Sequence, residues 1–254
     1  RIRALGPQTH SENLQMQFEK RDFLTAVEDA KAEGRVPVIA EIKPASPGKA
    51  FRDILPETAS RLALEMEEAG AVAISVLTEP LVFQGSLENL EAVRKNVCLP
   101  VLRKDFIVDR VQMDEIKSDL ILLIAGILGK DLDDFVELAF EKGFEPLVEV
   151  HNRDELSLAL NTNSRIIGIN NRNLETLKTD LSTTEELAPL VRDYDLDHGT
   201  RHTIISESGM NSAEDVRRVI DAGADAVLIG SALMESDSVF EKTEEFVQSF
   251  CWRQ

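Results

Sequence analysis

Apolar residues along this chain recur in two alternating rhythms. Short runs of β-branched residues and leucine occur at 36–42, 73–77, 101–103, 120–124, 146–150, 166–169, 203–206 and 226–229. Such runs suit strands buried on both faces. Between them the period lengthens to that of a helix. Within 56–69, Ala59, Leu62, Ala63 and Met66 share one face while Glu65, Glu67 and Glu68 stay outside; Leu132, Phe135, Val136 and Ala139 repeat the spacing, as do Ala213, Val216, Val219 and Ile220. Gly70, Gly143 and Gly223 stand where these patterns stop, and glycine accepts the left-handed cap at little cost. Residues 194–202 are polar and read as a loop. Ahead of the first strand, 1–35 begin polar and irregular, and Asp22 then caps a helix in which Phe23, Val27 and Ala30 share a face.

Strands that alternate with helices predict parallel pairing through crossover connections. Eight of them with short connections favour a closed barrel over an open sheet, and no GxGxxG follows the first strand to support a dinucleotide fold. The expected class is therefore α/β, a (β/α)8 TIM barrel with an N-terminal extension. Residues 1–35 form the extension, packed on the barrel of 36–254, in one structural domain. The length of 254 residues, 43% of them hydrophobic, suits that architecture.

Charge narrows the partners. With 46 acidic against 28 basic residues the formal net charge is -18, which repels nucleic acid and acidic membranes. No apolar run is long enough to span a bilayer, and nothing near Arg1 reads as a signal peptide, so a soluble, cytoplasmic protein is expected, as a monomer or weak homodimer. An acidic surface also suits a salty cytoplasm. Cys98 and Cys251 give neither a disulfide framework nor a zinc site, and His10, His151, His198 and His202 show no ligand constellation.

Against this acidic background the charges at strand ends stand out. Glu41, Lys43, Lys104, Asp105 and Glu149 each sit at the end of an apolar run and need a shared polar cavity, because buried charges are costly unless compensated. Glu41 and Lys43, two apart, project to the same face. A lysine in such a cavity is expected to have a lowered pKa, suiting it to proton donation. The turns Ser208-Gly209 and Gly230-Ser231 follow the seventh and eighth strands, where a barrel of this kind keeps its phosphate.

The segments AEIKPASPGK, ISVLTEP with FQGS, RKDFIVDRVQ, EPLVEV, IGINNRNL, SESGM and AVLIGSALM occur in the order and spacing of indole-3-glycerol phosphate synthase, which the chain resembles from Val36 to Met234. The resemblance implies a tryptophan-pathway enzyme that needs no cofactor or metal. It acts on a small phosphorylated substrate, 1-(2-carboxyphenylamino)-1-deoxyribulose 5-phosphate, closing an indole ring with loss of carbon dioxide and water. It makes Lys104 the general acid and Glu149 a second acid/base. Lys43 binds the anionic ends of the substrate, and Glu41 positions Lys104 or the amino nitrogen. Asn170 and Arg172 orient the glycerol hydroxyls and Glu149, while Glu207 and Ser208 line the opposite wall. Ser46, Gly209, Gly230 and Ser231 hold the phosphate. Phe83 and Phe106 pack against the anthranilate ring, or simply in the core. Three features depart from the family: Pro44 where arginine is common, a curtailed helix before the fourth strand, and a shortened N-terminal extension. Competing readings are a phosphoribosylanthranilate isomerase, which needs a cysteine where Glu41 stands, a Schiff-base aldolase using Lys104, and a silent phosphosugar-binding barrel.

Overall fold

Each apolar run forms a strand in the computed structural model, which describes residues 20–249 apart from residue 175. The strands are β1 (Val38–Ile42), β2 (Ala73–Leu77), β3 (Val101–Lys104), β4 (Leu120–Ile124), β5 (Glu145–Val150), β6 (Ile166–Asn170), β7 (Thr203–Glu207) and β8 (Ala226–Ile229). Neighbours pair in parallel. β1 meets β2 with Glu41 opposite Ser75 and β8 with Ala40 opposite Ile229, which closes the ring. The starts differ from expectation by up to two residues, and β3, β6 and β7 each run one residue further, so that Lys104, Asn170 and Glu207 are held in the ladder itself.

Alternation along each strand separates two cores. Val38, Ala40 and Ile42 point outward and pack with Leu62 and Met66 of helix α2 (Pro56–Glu68), while Ile39, Leu102, Leu147, Ile166 and Ile205 fill the barrel interior. Phe23, Val27 and Ala30 of α1 (Phe23–Ala32) join the inner group. The expected cap is present, with Asp22 accepting from the Thr25 N–H at 3.1 Å. α1 therefore plugs the barrel at the N-terminal ends of its strands. Three buried carboxylates there fasten the plug: Lys20 reaches Glu145 at 3.0 Å, the Arg21 N–H donates to Asp119 at 2.8 Å, and Lys31 reaches Asp225 at 2.9 Å. Residues 1–19, the rest of the expected extension, lie outside the described residues.

The remaining helices are α3 (Leu87–Asn96), α4 (Ala125–Leu128), α5 (Leu132–Glu141), α6 (Arg153–Leu160), α7 (Ser182–His198), α8 (Ala213–Asp221), α9 (Ser231–Met234) and α10 (Val239–Val247). Between β3 and β4 only a 3-10 turn, Arg110–Asp114, replaces a helix, as the short sequence there implied. Residues 194–198 are helical, not loop, and this corrects the reading from polarity. Leu187, Ala188, Val191 and Asp195 form the buried stripe of α7, so the polar residues of its last turns are a solvated face. Asp195 anchors that end by accepting from the His202 N–H at 3.0 Å and the Thr200 hydroxyl at 2.9 Å.

Candidate active site

The inner face of the barrel changes character along the strands. Two residues beyond Ile39 comes Glu41, beyond Leu102 comes Lys104, beyond Leu147 comes Glu149, and beyond Ile205 comes Glu207. Apolar positions near the plug thus give way to charged ones at the C-terminal ends, where a cavity of about 340 Å³ opens. Glu41, Lys43, Lys104, Glu149, Asn170 and Arg172 line it, together with Ser46, Ser208, Phe83 and Phe106. Phe83 and Phe106 tilt toward each other with ring centroids 6.0 Å apart, forming an apolar wall at the mouth.

Lys104 is the centre of the charged group. Its Nζ lies 3.3 Å from Glu149 Oε2 and also donates to Glu207 Oε2. Glu207 does not line the cavity wall as expected. It lies wholly buried beneath Lys104, in space left by Gly168, where an added Cβ would stand 2.2 Å from Glu207 Oε1. Burial disfavours the Lys104 cation, but Glu207, Glu149 and Glu41 together outweigh it and hold the ammonium well above its ordinary value. The expectation of a lowered lysine pKa is therefore wrong, because the surrounding charges are carboxylates and not cations. Burial likewise disfavours the Glu149 carboxylate, yet Lys104, His151 and Asn170 keep it ionised and below the usual range. For Glu207, burial and the nearby Glu149 charge win over Lys104 and push its carboxyl up to about 8. One ammonium thus sits between two carboxyl groups whose surroundings push their proton affinities apart, Glu149 downward and Glu207 upward.

Neighbouring side chains fix this geometry. The Arg172 N–H donates to Asn170 Oδ1 at 3.0 Å, which leaves the Asn170 amide to donate toward Glu149. Lys43 Nζ pairs with Glu41 Oε1 at 2.9 Å, so Glu41 serves Lys43 more directly than Lys104. Asp105 lines the cavity, as expected of the charges at the strand ends. It accepts from the Thr78 hydroxyl at 2.6 Å, the Phe106 N–H at 2.8 Å and Arg103 Nη2 at 3.0 Å, and so pins the loop after β3.

A smaller recess of about 90 Å³ adjoins the cavity, lined by Ser208, Gly209, Gly230 and Ser231 with Lys43 and Arg172. Ser208 and Gly209 both take positive φ, 65° and 92°, which turns the chain sharply after β7. Gly230 answers a second demand: an added Cβ would lie 2.3 Å from Glu41 Oε1. Its bareness therefore accommodates Glu41 as well as any anion. Three residues near the site escaped the sequence reading. Glu79 accepts from the Leu81, Val82 and Phe83 N–H groups at 2.8, 2.7 and 3.0 Å, knotting the loop that carries Phe83. His151 and Glu155 stand behind Glu149, with His151 Nε2 3.3 Å from Glu149 Oε1. Period two from Glu149 to His151 was the available signal for that histidine.

A family model described as indole-3-glycerol phosphate synthase matches residues 3–246. Similar proteins of that name include one from Methanocaldococcus jannaschii, 44% identical over 243 residues, covering 93% of this chain and 88% of that protein. Another, from Haloarcula marismortui, is 47% identical over 220 residues, covering 84% and 77%. One from Aquifex aeolicus is 41% identical over 235 residues, covering 91% and 88%. Among solved structures, the N-acetylmannosamine-6-phosphate 2-epimerase from Clostridium perfringens superposes with a TM-score of 0.59 over 81% of this chain and 89% of its own. At 14% identity that likeness speaks for the fold alone.

Proposed function

The chain belongs to the indole-3-glycerol phosphate synthase family and is a carboxy-lyase of tryptophan biosynthesis, and from that premise we propose how its residues divide the reaction. The observation that carries the assignment is the Lys104 ammonium held between Glu149 and the buried Glu207 on the floor of the cavity. The substrate phosphate occupies the recess of Ser208, Gly209, Gly230 and Ser231, where Lys43 and Arg172 supply positive charge inside an acidic molecule. Ser46 faces the substrate from the wall of the main cavity, and the anthranilate ring lies against Phe83 and Phe106.

With the substrate so placed, its ketone oxygen faces Lys104. The ring carbon bearing the carboxylate attacks the ketone carbon, and Lys104 delivers a proton to the oxygen as the carbon–carbon bond forms. Carbon dioxide then leaves and its bonding pair restores the aromatic ring. Glu207, with its raised pKa, returns a proton to Lys104, which gives it to the departing hydroxyl. Glu149, kept ionised, removes the carbon-bound proton next to nitrogen and completes the indole. Two protons leave the site with water and one returns to Glu149, so each turnover draws one proton from solvent. Asn170 orients Glu149, and Glu41 holds Lys43 in place.

The same reading takes α1 and the barrel as one domain, because α1 shares the inner core. Among the described residues no helix is long and apolar enough to cross a membrane. The net charge of -18 favours a monomer or weak homodimer that avoids nucleic acid, and the biosynthetic family favours the cytoplasm. The test is a continuous assay of indole fluorescence with the carboxyphenylamino-deoxyribulose phosphate. One carbon dioxide per indole is expected. Binding of the substrate without appearance of an indole chromophore contradicts the reading.

A further inference from the structure

His151 lies just past the end of β5 with its ring wedged between two carboxylates. On one side Glu155 Oε2 lies 2.9 Å from Nδ1 and also accepts the His151 backbone N–H at 2.8 Å. On the other side Nε2 lies 3.3 Å from Glu149 Oε1, an ion-pair approach without hydrogen-bond alignment, so this buried nitrogen has no hydrogen-bond partner. Glu155 is itself locked at the start of α6. Its N–H donates to Asn152 Oδ1 at 2.9 Å, its Oε1 accepts from Asn152 Nδ2 at 2.8 Å, and a Cβ on Gly126 would stand 2.7 Å from that same oxygen. The carboxylate behind the imidazole is thus built in, with α4 shaped to admit it.

This geometry dictates a protonation state. Nδ1 faces a carboxylate and must carry hydrogen. Were the ring neutral, Nε2 would then be a bare, electron-rich acceptor 3.3 Å from Glu149 Oε1, with no attraction between them. Protonating Glu149 would relieve that, but the Lys104 ammonium on its other oxygen opposes it. The imidazolium donates from Nδ1 to Glu155 and sets a positive charge against Glu149.

We propose that His151 is a positioning residue for the reaction: as an imidazolium braced by Glu155, it fixes Oε1 of Glu149 and keeps that carboxylate ionised and aimed at the substrate. Nε2 stands at ion-pair distance from Oε1, close enough for the charge of the imidazolium to hold the carboxylate. A raised pKa agrees with the geometry, since the two carboxylates against the ring, Glu149 and Glu155, outweigh burial and lift it to about 9. The charged groups bearing on it are Glu149 on its own strand, Glu155 on α6 and, beyond Glu149, Lys104 on β3 and Glu207 on β7.

The inference rests on Glu149 being the catalytic carboxylate, and the experiment separates the two. Steady-state kinetics are compared for the parent, Glu149→Gln, His151→Ala, His151→Gln and the double variant Glu149→Gln with His151→Ala, with melting curves showing each to be folded. His151→Ala is expected to lower kcat by about tenfold or more at nearly constant KM, and His151→Gln, which keeps a neutral N–H donor, to recover part of it. In the Glu149→Gln background the alanine substitution is expected to change kcat by less than about twofold, because its route of action is already gone. A role confined to packing would give the same factor in both backgrounds, and that result overturns the inference, as does parental turnover in His151→Ala. Parental turnover in Glu149→Gln would remove the underlying reading of Glu149 and the inference with it. Should His151→Ala fail to fold, Glu155→Gln carries the test: a similar fall in kcat is expected in the parent and none in the Glu149→Gln protein, and equal falls in both overturn it.

Discussion

Gly230 carries two duties that a sequence cannot separate. It borders the recess assigned to phosphate, and it leaves the space that Glu41 occupies beside Lys43. Gly230→Ala should therefore displace Glu41 and disturb Lys43, raising KM and lowering kcat together. Loss of one charge-assisted hydrogen bond of about 1.5 to 3 kcal/mol corresponds to roughly tenfold or more. Ser231→Ala removes only a hydroxyl from the recess and should raise KM by a few fold at constant kcat. Repeating both measurements with a dephosphorylated substrate separates the duties: the Ser231 effect should vanish and the Gly230 effect persist. Motif order located Lys104, Glu149 and Asn170, because two-residue alternation brings strand-end charges to one face. It did not reveal Glu207 as buried, since that depends on Gly168 of the neighbouring strand, nor the elevation of Lys104, which depends on how many carboxylates converge.

His151 gives stability a pH dependence of known sign. Its folded pKa of about 9 exceeds the ordinary 6.5, so its contribution is complete below about 6.5 and is lost as pH rises through 9. The difference in melting temperature between parent and His151→Gln should shrink between pH 6.5 and pH 10. A constant difference in calorimetry would mean that the imidazolium is not stabilised by folding.

Among the elements, α1 does most to define the closed end of the barrel. Its apolar face enters the inner core, and Asp225 collects Lys31, Arg192 and Arg201 while accepting the Ile204 N–H at 2.9 Å. Burial raises the Asp225 pKa, but Arg192, the Ile204 N–H and Lys31 outweigh it and hold the carboxyl below its usual value. Its stabilisation is therefore present above the ordinary carboxylate value and lost as pH falls through the lower folded value. Asp225→Ala leaves the buried Ile204 N–H without its acceptor and removes the shared partner of three cations, and should cost roughly 1 to 3 kcal/mol in urea unfolding near pH 7. A loss under about 1 kcal/mol would show that the clamp is dispensable. The capped start of α1 and the glycine-marked helix ends were legible because local chemistry specifies them. The end of α7 was not: its buried stripe runs from Leu187 to Asp195, one of the polar residues that suggested a loop, while Asp197 and His198 beyond it are exposed.

At the scale of the whole molecule, a net charge of -18 means that folding gathers like charge. Salt shortens the screening distance from about 10 Å at 0.1 M to about 3 Å at 1 M and should raise the melting temperature by a few degrees. A melting temperature that fell across that range would show that surface ion pairs, not self-repulsion, dominate. The barrel was legible because eight buried runs alternating with amphipathic helices leave few other parallel architectures, whereas the acidic surface bears on solubility and partners and not on fold.

The claim on which the mechanism depends is that Lys104 delivers the proton that drives ring closure. Its direct test is single-turnover formation of indole fluorescence by Lys104→Ala, with substrate binding followed on the same protein. The rate should fall by at least about a hundredfold, the scale of general acid catalysis, while binding stays measurable through the phosphate recess and the aromatic wall. A folded Lys104→Ala protein that forms indole within a few fold of the parental rate would contradict the account.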